Sequence, residues 1–192
     1  MYSAKRFHLN TSRSSGLPVA VDAILGHSGS MKHLIIMRHA KAEKDAPSGE
    51  DFDRRLTGRG REEAASVAAA LKSYGLKPDF ALVSAAARTR DTFAQVEGVF
   101  GTIAALVSRD VYNAGPDALR RAVETHEGDG DCLLLVGHNP GVQALVADYL
   151  FEGAAGAEII EKVRGGYPTA TATVFEVDAA GRAIYDGIYL AR

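Results

Sequence analysis

The chain has 192 residues, 46% hydrophobic and 24% charged, with a formal net charge of −2 at pH 7. This fits one globular domain and supplies no basic face for nucleic acid or an anionic membrane. The single cysteine allows no internal disulfide, which suits a reducing cytoplasm, and no apolar run approaches the ~20 residues that cross a bilayer.

Residues 1–30 differ from the remainder, with six serines, Lys5, Arg6 and Arg13, and a single acid at Asp22. They read as a disordered leader or a start codon assigned too early, with the domain running over residues 31–192. Leu34–Met37 is a continuous apolar run ending in Arg38-His39-Ala40, the pattern of a buried strand. Lys41–Asp53, with Pro47, Ser48 and Gly49, reads as a loop. Thr57 caps a helix to about Tyr74, in which Ala64, Val67, Ala68 and Leu71 recur at helical spacing and Gly75 terminates. Asp79–Val83 is a strand, and a helix follows from about Ala86 to Val99. Ile103–Val107 is a further strand, and Pro116 opens a helix to about Glu127 as its first residue. Cys132–Val136 is a second fully apolar strand, ending in Gly137-His138-Asn139-Pro140-Gly141, with a helix from Pro140 to about Phe151. Thr169–Val177 and Ala183–Leu190 read as an antiparallel hairpin around Asp178–Gly181. Four β/α alternations and a hairpin predict a three-layer α/β/α sandwich, its sheet mostly parallel with an antiparallel edge from the C-terminal hairpin.

In such sheets ligands bind beyond the C-terminal ends of the strands. His39, Arg88 and His138 all follow strand ends, and Arg38 sits beside His39. A phosphoryl group carries roughly −1.5 to −2 charge and several strong acceptors, and arginine meets these with a rigid fork that keeps its proton. Arg38, Arg88 and a protonated His138 are therefore candidates to hold a phosphoryl group. The helix starting near Pro140 would add its positive end. His39, kept neutral by Arg38, is the candidate nucleophile, forming a phosphohistidine that water then hydrolyses. Cys132, inside an apolar run, reads as a core side chain. The other histidines lack metal-ligand spacing, so neither metal nor cofactor is expected. The Gly128–Asp131 turn lacks the ending of a nucleotide-binding loop.

Arg38-His39, the set Ser84, Arg88 and Thr92, and Val136-Gly137-His138-Asn139-Pro140-Gly141 resemble the histidine phosphatase superfamily (phosphoglycerate mutase-like). Asp53–Gly60 and Tyr167–Ala170 are similar to segments of its SixA-type phosphohistidine phosphatase branch. The resemblance implies a metal-independent phosphatase with His39 as phosphate acceptor and Arg38, Arg88 and His138 as clamp. It implies phosphohistidine on a protein or peptide as substrate. A small-molecule phosphomonoesterase or mutase, or a catalytically inert phospho-binding domain, are the alternatives. Two departures stand out. Ala40 replaces the glycine usual after the nucleophile, which is tolerable where the backbone needs no positive φ. For the usual acid between the second arginine and second histidine, Asp110 is the candidate by loose position, its alternative reading being a surface or turn carboxylate with no acid present. A poorly placed acid favours P–N substrates, because an alcohol leaving group needs a proton more than an imidazole does. Arg54 is a candidate substrate-binding residue at the rim. Lys41, Arg55 and Arg59 are weaker ones, and the short loops predict a shallow, open site. The oligomeric state is left open by the sequence.

Overall fold

In chain order the elements are β1 (His33–Arg38), α1 (Gly58–Ser73), β2 (Phe80–Ser84), α2 (Ala87–Phe100), β3 (Ala104–Ser108), α3 (Pro116–Thr125), β4 (Cys132–Gly137), α4 (Gly141–Glu152), α5 (Ala157–Gly165), β5 (Ala172–Val177) and β6 (Ala183–Tyr189). This computed structural model describes residues 31–191; the expected leader at 1–30 lies outside them. The strands form one sheet in the order β3-β2-β4-β1-β5-β6. The first four are parallel, while β5 and β6 add the antiparallel edge anticipated for the C-terminal hairpin.

Side-chain alternation along the strands divides the core into two layers. Ile35, Met37, Ala81, Val83, Leu134 and Val136 face α1 and α2, packing on Ala64, Val67, Leu71, Phe93 and Val96. Leu34, Ile36, Leu82, Leu133, Leu135 and Phe175 face α3, α4 and α5 through Leu119, Val142, Leu145, Val146 and Val163. Strands buried on both faces lose their polar/apolar alternation, which is why β1 and β4 read as unbroken apolar runs.

Local signals account for most boundaries. The Thr57 side chain accepts from the Gly60 N–H at 2.9 Å, capping α1, and Gly75 follows at φ 93°. Pro140 stands one residue before α4 rather than inside it. α5 carries no clear sequence signal, since its nine residues bury only Ile160 and Val163 between glycines, too few turns for a readable period. Among the described residues, no helix is long and apolar enough to cross a membrane.

Two glycines mark contrasting constraints. A Cβ at Gly141, the first residue of α4, would stand 1.9 Å from the Ala114 carbonyl oxygen, whereas one at Gly98 in α2 meets nothing within 4 Å. Gly141→Ala is therefore expected to destabilise the fold by about 1–3 kcal/mol through forced displacement of backbone. Gly98→Ala should stabilise it by about 0.5–1 kcal/mol. Chemical denaturation of the two variants checks both signs.

Candidate active site

The in-register pairing of β1 with β4, Arg38 opposite Gly137, sets the next residue of each strand side by side. His39 and His138 accordingly lie with ring centroids 5.1 Å apart, close to the ~4.8 Å spacing of neighbouring strands. β2 flanks β4 on the other side with Val83 opposite Val136. Ser84, the next residue, ends β2 within reach of the residue after β4, and the Ser84 Oγ lies 2.7 Å from His138 Nε2. Arg88 enters from the first turn of α2. A cation there opposes the helix macrodipole and, with the free N–H groups, makes a strongly positive corner.

The imidazoles are held in defined states. His39 Nδ1 donates to the Ala40 carbonyl at 2.8 Å, so the proton resides on Nδ1 and the Nε2 lone pair is free. Burial, with the charges of Arg88, Arg38 and Arg54, lowers the His39 pKa from 6.5 to about 4. Burial and Arg88 likewise pull His138 down to about 3. His138 is therefore neutral here, where the sequence suggested a protonated ring. Desolvation and a neighbouring guanidinium both disfavour a second cation. Two buried nitrogens, Arg38 Nε and His138 Nδ1, have no hydrogen-bond partner among the described residues.

Other residues fix these groups in place. Arg38 Nη1 donates to the Tyr167 carbonyl at 2.6 Å. Asn139 Nδ2 donates to the same oxygen, while the Tyr167 hydroxyl donates to the Ile36 carbonyl at 3.0 Å. The Ala40 N–H donates to Thr92 Oγ1, and that hydroxyl donates to the Arg88 carbonyl. Ala40 is absent from the described positive-φ residues, so glycine is not required at that position. Ala170, at φ 56°, donates its N–H to the His39 carbonyl at 3.1 Å.

The site is more covered than the loop lengths predicted: His39, Arg88 and His138 are only 9%, 4% and 3% exposed. The cover is a 3-10 turn, Asp51–Asp53, at the end of the stretch read as a polar loop. Arg88 Nη1 donates to the Asp51 carbonyl at 2.6 Å and Nη2 to Asp51 Oδ2 at 2.9 Å. The Tyr112 hydroxyl donates to the same Oδ2 at 2.8 Å, and Arg54 Nη1 donates to Oδ1 at 2.6 Å. Tyr112 also sets its ring edge-on to both Phe52 and His138. Hydrogen bonds from Tyr112, Arg54 and Arg88 hold the Asp51 carboxyl far below the usual carboxylate range.

The structure thus brings together Arg38, His39, Arg88 and His138, with Arg54 at the rim through Asp51. Asp110 stands on the turn after β3, where its carboxylate accepts from the Ser108 hydroxyl at 3.2 Å. Arg55 pairs with Asp91 and Arg59 with Glu63, so neither is turned to the clamp. Asp51 and Tyr112 were not anticipated. Nothing in Glu50-Asp51-Phe52 distinguishes it from a polar loop, and the Tyr112 signal was proximity to Asp110 alone.

Comparison with known proteins agrees with this geometry. Residues 34–111 match the model of the histidine phosphatase superfamily (branch 1). An uncharacterised Mycobacterium tuberculosis protein is 30% identical over 142 residues, 73% of this chain and 87% of that protein. An uncharacterised chloroplast protein of Arabidopsis thaliana is 44% identical over 71 residues, a match spanning only 33% of its own length. Among solved structures, SixA from Agrobacterium tumefaciens superimposes with a TM-score of 0.73 at 27% identity, over 85% of this chain and 100% of that one. The protein histidine phosphatase SixA complexed with tungstate gives 0.65 at 25% identity, over 82% and 96%.

Because both imidazoles have depressed pKa values, the unfolded chain binds protons near pH 6.5 that the folded chain takes up only near pH 4 and 3. Their contribution to stability is complete above pH 6.5 and declines as the pH falls through that window. NMR titration of the ring resonances should place the His39 midpoint near 4 and leave it unprotonated at pH 6. A midpoint near 6.5 would contradict the burial described.

Proposed function

This chain belongs to the histidine phosphatase superfamily, and we propose from that premise that it is a metal-independent phosphatase working through a phosphohistidine on His39. The observation that carries this reading is the His39 tautomer. Its Nδ1 proton is committed to the Ala40 carbonyl, which leaves Nε2 as an unprotonated nitrogen nucleophile among arginines.

Arg38 and Arg88 neutralise the phosphoryl oxygens, and the orphaned Arg38 Nε and His138 Nδ1 are suited to donate to them in the transition state. Ser84 serves as the partner of His138 Nε2, so that Nδ1 carries the proton toward the substrate. Nε2 of His39 attacks phosphorus as the bond to the leaving group breaks, the electron pair departing with that group. Water then attacks phosphorus, the P–Nε2 bond breaks with its electron pair returning to His39, and a proton of the water passes to solvent as phosphate leaves. The SixA protein bound to tungstate supports a tetrahedral oxyanion as the species this arrangement accommodates.

Phosphohistidine on a protein or peptide is the substrate class that fits best. Asp51 is held ionised and is a poor proton donor, while Asp110 is engaged with Ser108. A phosphorylated alcohol would need its leaving oxygen protonated by such a group. The second ring nitrogen of phosphohistidine instead takes a proton from solvent before the P–N bond breaks. The likeness to SixA from Agrobacterium tumefaciens supports the same class.

Substituting His39→Ala should lower turnover of a phosphohistidine peptide by more than about a thousandfold with the fold intact. Rapid quench of the unaltered protein should trap an acid-labile, base-stable phosphoenzyme. Undiminished turnover in His39→Ala, or faster hydrolysis of phosphoserine peptides or sugar phosphates than of phosphohistidine, would overturn the respective parts of this reading.

A further inference from the structure

The clamp is divided in how its donors are used. On the inner side, Arg38 Nε and His138 Nδ1 are buried and unpartnered among the described residues. On the outer side one residue engages donors of Arg88, Tyr112 and Arg54. Asp51 takes both terminal nitrogens of Arg88 through its carbonyl and Oδ2, the Tyr112 hydroxyl through Oδ2, and Arg54 through Oδ1. The Arg88 side chain is 5% exposed and that of Asp51 is 49% exposed, so the carboxylate covers the guanidinium from the solvent side.

A carboxylate and a phosphoryl group present an arginine fork with the same thing, two anionic oxygens at matching separation. An incoming phosphoryl dianion must then take the Arg88 and Tyr112 donors from Asp51, or share one guanidinium with a second anion against their repulsion. We propose that Asp51 is a tethered counter-anion of the phosphoryl site, whose carboxylate competes with substrate and product phosphate for Arg88 and Tyr112 and so sets the site's affinity. This rests on the phosphatase reading and adds to it a residue that weakens binding.

Local construction suits displacement. Asp51 begins a turn of three residues, Gly49 precedes it at φ 79°, and Phe52 anchors the turn between the Tyr112 ring and the Arg109 guanidinium, the latter 4.5 Å from the Phe52 centroid. Being on the same chain, the carboxylate competes at high effective concentration. Inorganic phosphate leaves the same donors that it found, and Asp51 recaptures Arg88 as it departs.

Binding of inorganic phosphate to the full chain, measured by calorimetry, tests the proposal. Asp51→Asn keeps shape and acceptor but removes the charge, and should bind phosphate about tenfold tighter, the size of one partly exposed charge interaction. Asp51→Ser should change affinity in the same direction. Unchanged or weaker binding in both Asp51 variants would overturn the proposal, assigning Asp51 to orienting Arg88 instead. Phosphate binding that is abolished by Arg88→Ala but unaffected by Asp51→Asn would leave the phosphatase reading standing alone. Phosphate binding indifferent to Arg88→Ala would remove both.

Discussion

The registry between β1 and β4 is the constraint on which the rest depends. Arg38 opposite Gly137 makes His39 and His138 neighbours by backbone geometry alone, before any side-chain interaction is considered. A slip of one residue would turn one of the two rings to the opposite face of the sheet. One bond holds that register where the strands end, His39 N–H to the Gly137 carbonyl at 3.0 Å, and Arg38 N–H ties the other side of β1 to the Thr171 carbonyl at 3.0 Å. Gly137 adds a spatial condition, since a Cβ there would press on Val142 at 2.9 Å. The C-terminal segment is tied in through Tyr167, whose hydroxyl and carbonyl reach β1 and Arg38 respectively.

The electrostatic character of the site follows from that crowding. Two guanidiniums and two imidazoles share a buried corner, and only the imidazoles can shed their charge. Both do, with pKa values near 4 and 3. The arginines stay charged and are engaged by acceptors, Arg38 through Nη1 by the Tyr167 carbonyl and Arg88 through both terminal nitrogens by Asp51. Arg88 in the first turn of α2 contradicts the usual placement of charge on a helix. Such local contradictions concentrate where function outweighs stability, and here the contradiction raises the positive potential available to an anion.

Hydroxyl groups refine what the charges establish. Ser84 fixes His138, and Thr92 links the backbone after His39 to the backbone of Arg88. These bonds are buried, so each is shielded from competing water and restrains its ring or loop more firmly than the same bond would at the surface.

The sequence alone determined a large share of this protein. Unbroken apolar runs at Leu34–Met37 and Cys132–Val136 identified the two central strands, because burial on both faces leaves a continuous signal. Thr57, Gly75, Pro116 and the turn Asp178–Gly181 marked ends of elements, because capping and turn chemistry is local. The strand-end positions of Arg38, His39, Arg88 and His138 marked the site, because parallel strands deliver their C-terminal ends to one edge. Only the tertiary structure decided what lies between those residues. The role of Asp51 depends on Arg88 and Tyr112, 37 and 61 residues away in sequence, and a contact of that range leaves no pattern in a polar loop. The lowered pKa values of the histidines were likewise decided by burial and by neighbouring charges, properties a linear chain does not possess.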